Sequence, residues 1–135
     1  MARLLNMTLL LSVLGFFAAC QYEQIDNTIV DPAEDVSFAQ DILPLVTISC
    51  AGSGCHIGEA TNGVNLSSYD QMLNSVGLQY NGPVVVPGNA ANSPLFDKIN
   101  PNPEFGVRMP SGRAPLSNNQ IELIRAWIDE GALDN

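Results

Sequence analysis

Apolar positions along this chain fall into two regimes. Near the start they run together: Leu9 to Phe17 is broken only by Ser12 and Gly15. Beyond residue 36 they recur at helical spacing, which predicts short helices with one face turned inward. Phe38, Ile42, Leu45 and Val46 fall near one such face, behind Ser37 and Gln40 at the spacing of a capping box. Pro44 lies inside this helix and predicts a kink, because it has no N–H to give. A second short helix is expected over 69–75, with Met72, Leu73 and Val76 inward. Ser93-Pro94 should open a third through about Ile99, with Ser as cap and Pro at its first position. Ser117 with Gln120 caps the last, whose stripe is Ile121, Ile124, Trp127 and Ile128 and whose stop is Gly131. Gly82 to Gly88 reads as an extended apolar loop, and Asn100 to Leu116, rich in Pro and Gly, as an ordered one. No strand alternation is visible. The pattern therefore predicts an all-α fold of short helices joined by long loops.

The opening run has a different meaning. One charge (Arg3), a short apolar middle and the small pair Ala18-Ala19 describe a secretory signal over residues 1–19. The run falls short of the ~20 apolar residues of a membrane span. Phe17-Ala18-Ala19-Cys20 resembles a bacterial lipobox, a resemblance that implies cleavage before Cys20 and acylation of its thiol. A signal cut at Ala19 without lipid, or an uncleaved anchor, are the other readings. From Gln21 to about Val36 the chain carries Glu23, Asp26, Asp31, Glu34 and Asp35 and no basic residue. Residues 20–36 read as an acidic tether between anchor and domain, and 37–133 as the domain.

Composition narrows the function. The 135 residues suit one domain with one core. Fourteen acidic against five basic residues argue against nucleic acid as a partner, since phosphate needs Lys and Arg. A basic protein partner is the better match. A helical domain of ~100 residues with loops this long buries a modest core. A large apolar prosthetic group would supply the missing centre.

The segment Cys50-Ala51-Gly52-Ser53-Gly54-Cys55-His56 points to one, placing two thiols and the chain's sole histidine within seven residues. Two such thiols can add to haem vinyl groups as thioethers, and the adjacent imidazole then reaches the iron. The usual attachment signature has two residues between its cysteines; here there are four, three of them Gly or Ser, which lets the loop bulge. Three other readings stay open. Cys50 and Cys55 could form a structural disulfide in an exporting compartment. They could bind zinc with carboxylates completing the set. They could be a thiol redox pair.

With that segment in place, the chain resembles the class I cytochrome c fold, and most closely the short cytochrome c-like domains of exported planctomycete proteins. The resemblance covers about Val36 to Leu133. It is carried by Phe38-Ala39-Gln40-Asp41-Ile42-Leu43-Pro44, Cys50…Cys55-His56, Val86-Pro87-Gly88-Asn89 with Ser93-Pro94-Leu95, Arg108-Met109-Pro110, and Leu116-Ser117 through Ala126-Trp127-Ile128-Asp129-Glu130-Gly131-Ala132. It implies one haem c held covalently by Cys50 and Cys55, with His56 and Met109 as axial ligands. Met72 is the fallback ligand, though its helical spacing suggests core. It further implies first and last helices packed crosswise, a contact Phe38 and Trp127 could supply. The 82–88 loop could offer a carbonyl to the second nitrogen of His56, and Arg108 and Arg113 could meet haem propionates.

The expected function is outer-sphere electron transfer with a redox partner protein, not enzymatic turnover, because both axial positions are filled. The expected place is the bacterial cell envelope, on the periplasmic or cell-surface side, held to the membrane through Cys20. The rivals are a haem-free, disulfide-closed binding lipoprotein and a haem sensor or peroxidase with an open sixth site.

Overall fold

The computed structural model describes residues 35–135, so the signal and lipidation at Cys20 lie outside the described residues. A π-helical turn, Phe38–Ile42, runs directly into helix α1, Leu43–Ser49. The Leu43 and Ile42 amides reach back five residues, to the carbonyls of Phe38 and Ser37. The sequence predicted a kink at Pro44. The structure instead widens the turn ahead of Pro44, which makes room for a ring that cannot continue the four-residue ladder. Ser37 caps this turn by accepting from Gln40 N. Asn135 adds a second cap from the far end of the chain: its Oδ1 accepts from Phe38 N at 2.8 Å and its carbonyl from Ala39 N at 3.0 Å.

Helix α2 is Tyr69–Leu73, capped by Ser68, and α3 is Pro94–Ile99. The long helix α4, Asn118–Asp129, has both halves of the capping box between Ser117 and Gln120. Gly131 follows its end with φ +108, a conformation that suits glycine and stops the helix. Three-residue 3₁₀ turns lie at Thr61–Gly63 and Ala90–Asn92. Among the described residues one sheet occurs, the antiparallel pair β1 (Val76–Gly77) and β2 (Gly82–Pro83), with Val76 opposite Pro83. The alternation test misses it because two residues are too few to alternate. No described helix is long and apolar enough to cross a membrane.

The core lies where α4 meets the first helical turn and α3. Ile121, Ile124, Trp127 and Ile128 are all buried, together with Phe38, Ile42 and Val46. The Phe38 and Trp127 rings lie 5.6 Å apart, and Tyr69 meets Phe38 edge-on at 5.3 Å. The first and last helical segments are thus joined through aromatic packing. Three local expectations change. Val76 is 53% exposed, because the chain leaves α2 at Leu73 and enters the hairpin before reaching it. The Ser93 hydroxyl makes no capping bond to α3; it turns back to accept from Val86 N and donate to Asn89 O. Val36 is buried and its N–H donates to the Glu130 carboxylate, so the packed unit starts before residue 37 and extends out to Asn135.

Candidate functional site

The Cys50–His56 segment leaves the end of α1 and closes on itself. Cys50 N donates to Val46 O, ending the helix, and Cys50 O then accepts from His56 N at 3.1 Å. That second bond pinches the five intervening residues into a bulge. It returns His56 to the same side as Cys50. Gly52 makes the bulge possible: its φ is +135, and a Cβ there would lie 3.0 Å from the Arg113 guanidinium and 3.2 Å from Cys55 Sγ.

His56 is held in a defined orientation. Its Nδ1 lies 3.2 Å from the Val64 carbonyl oxygen. A carbonyl only accepts, so Nδ1 carries the hydrogen, and in the neutral imidazole that leaves the lone pair on Nε2. The Leu66 amide donates to His56 O at 2.7 Å, which fixes the backbone on the other side. The sequence placed the orienting carbonyl in the 82–88 loop. It comes instead from Val64, because the chain after the bulge folds back over the imidazole.

Cys50, His56 and Met109 line one cleft, partly open to solvent, with a cavity volume of about 80 Å³. Its walls are mainly apolar, including Val64, Leu66, Leu78, Val84, Leu95 and Ile99. Cys55 is half-buried on the same loop but is not among the lining residues. Met72 is wholly buried in the core and does not line the cleft. Of the two methionines in the described residues, the structure brings only Met109 to His56.

The polar groups around the cleft are few. Both thiols are free. Burial pushes the Cys50 thiol up to about 11, neighbouring Cys55 adds to the rise, and Arg113 partly opposes it. Tyr80 and Lys98 also line the cleft. The Tyr80 phenol is held above its usual range by burial first and then by the Asp97 carboxylate, to which it donates. Burial lowers the Lys98 ammonium from its usual value, with Asp97 opposing. Arg108 and Arg113 are not among the lining residues; Arg108 Nε donates to Ile99 O and Arg113 Nη1 to Ile48 O, beside the Cys50–His56 loop. Lys98 is the cation that lines the cleft.

Comparison with known proteins finds no matching family model, and no curated protein or solved structure with significant similarity to the chain. What this cleft can hold therefore rests on its own residues.

Those residues fit a haem. An imidazole with its far nitrogen free and a neutral thioether line a single apolar cleft, and a thiol stands in its wall. A zinc site fits less well, since among the described residues no three of His, Cys, Asp and Glu converge. The sequence did not reveal the roles of Val64, Tyr80 and Lys98. Val64 acts through a backbone carbonyl, which no side-chain pattern reports. Tyr80 and Lys98 reach the cleft only through the hairpin and the packing of α3.

Proposed function

We propose that this chain is a mono-haem c-type cytochrome that carries electrons at the bacterial cell envelope. One observation supports it above the rest: Cys50, His56 and Met109, from opposite ends of the domain, meet on one apolar cleft. In this reading Cys50 and Cys55 hold the porphyrin as thioethers. His56 offers Nε2 to the iron, with the Val64 carbonyl keeping the ring in place. Met109 would supply its thioether, a soft neutral ligand that favours the ferrous state. The bound haem supplies a one-electron iron couple. The apolar lining would keep water from the metal and lower the dielectric around it.

With both axial positions held by side chains, no position is open to a substrate, so the role is electron carriage to a partner protein. The charge of −9 suits a basic partner and opposes nucleic acid. The fold proposed is all-α and cytochrome c-like, with the two-residue hairpin as a local addition. The test is direct. The protein, purified from a host with haem-attachment machinery, should show a sharp Soret band that survives acid-acetone extraction. A colourless product with Cys50 joined to Cys55 would instead favour a disulfide-closed binding lipoprotein.

Lipid attachment at Cys20 completes the proposal and has its own test. Radiolabelled fatty acid should enter the wild-type chain and not Cys20→Ala, because acyl chains need that thiol and each buried methylene adds about 0.8 kcal/mol of membrane affinity. Equal labelling of the two would remove the anchor from the picture.

A further inference from the structure

The segment between α3 and Met109 is strapped to that helix, and one side chain makes two of the bonds. Lys98 Nζ donates to the Phe105 carbonyl at 2.6 Å and to the Val107 carbonyl at 3.0 Å. Two carbonyls one residue apart converge on one ammonium only if the residue between them turns, and Gly106 does so at φ +66. A Cβ at Gly106 would stand 3.4 Å from Lys98 Nζ and 3.3 Å from Gln79 Nε2, so the loop lies directly over the ammonium. The backbone of the same lysine continues the strap, its carbonyl accepting from Met109 N at 2.8 Å. On either side, Asp97 Oδ2 accepts from Glu104 N and Ile99 O accepts from Arg108 Nε.

We propose that Lys98 is a positioning residue for Met109: its ammonium, cradled by the carbonyls of Phe105 and Val107, fixes the loop that presents the thioether to the cleft. This rests on the cytochrome reading above, in which Met109 is the far-side ligand. The physical reason is entropy. The 100–109 loop is rich in proline and glycine and lies outside any helix or strand, so its few cross-links decide how tightly Met109 is held. A charge-assisted bond to each carbonyl is strong enough to shift a local opening equilibrium about tenfold.

The test compares wild-type full chain with Lys98→Leu, Lys98→Arg and Gly106→Ala. Lys98→Leu keeps an aliphatic stem, removes the donors and adds no thioether to the cleft. It should speed hydrogen exchange at the Met109 amide about tenfold, leave α4 amides unchanged, and weaken the near-infrared thioether-to-iron band. Lys98→Arg should restore most of both. Gly106→Ala keeps the cleft's charge but strains the cradle, and should move both readouts the same way by less. A wild-type band and wild-type Met109 exchange in Lys98→Leu would overturn the proposal. So would a parallel rise at α4 amides, which would make Lys98 a general support of the fold. A wild-type protein with haem but no thioether band would overturn both the ligand assignment and the positioning role. The exchange data would then still report whether the loop is strapped.

Discussion

On the cytochrome proposal, replacing Met109 by alanine should leave the haem covalently attached, abolish the weak near-infrared thioether-to-iron band and lower the reduction potential. The attachment is expected to survive because Cys50, Cys55 and His56 belong to a separate segment, closed by its own hydrogen bonds. The band should vanish outright because the remaining methionine of the described domain, Met72, is wholly buried in the core and away from the cleft. The potential should fall because a soft thioether stabilises ferrous iron more than the water that replaces it. A fall on the order of 0.1 V is a modest part of the roughly 0.8 V that axial ligation spans. Reduced Met109→Ala should also bind carbon monoxide quickly, having gained an open position. Met72→Ala supplies the contrast: an unchanged band, with stability reduced by about 2–5 kcal/mol for a buried methionine. If Met109→Ala keeps the wild-type spectrum and Met72→Ala does not, the two assignments are exchanged.

The second large effect is on stability. Trp127→Ala should cost about 3–5 kcal/mol, the range for deleting a buried aromatic. Trp127 is wholly buried, lies 5.6 Å from Phe38, and donates through Nε1 to the Leu133 carbonyl at 2.9 Å. The substitution therefore opens a cavity between the first and last helical segments and also releases the chain end. Against a total of about 5–15 kcal/mol for a domain of this size, that loss brings the fold close to its limit. Urea unfolding should show a much lower midpoint. It must be followed by circular dichroism, since Trp127 is the chain's sole tryptophan. Trp127→Phe should recover much of the loss by refilling the cavity. A midpoint that Trp127→Ala leaves in place would show that the core is organised elsewhere.

These two residues were legible in the sequence for different reasons. Trp127 belongs to a stripe of period 3.6 in a capped helix, a pattern that carries its own geometry. Ser117, Gln120 and Gly131 mark that helix's limits by local chemistry alone, and the structure has all three in those roles. Met109 stood out by contrast, as an apolar residue in a loop with no stripe to join. Where local rules failed, a distant group had intervened. Ser93 had the right position to cap α3, but its hydroxyl found partners in the 86–89 loop. Val76 followed the spacing of α2, but the hairpin drew the chain outward first.

By itself the sequence determined the helices, the caps at Ser37 and Ser117, the inward stripe of α4 and the close grouping of Cys50, Cys55 and His56. All of these depend on residues within a turn or two of each other, where spacing and side-chain chemistry suffice. Only the tertiary structure decided that Met72 is shut away in the core while Met109 and His56 line one cleft, that the Val64 carbonyl meets the imidazole, and that Lys98 Nζ binds the carbonyls of the loop before Met109. Those choices depend on which backbone carbonyls and loop segments arrive beside one another once the chain has packed, and a backbone carbonyl leaves no mark on the order of side chains.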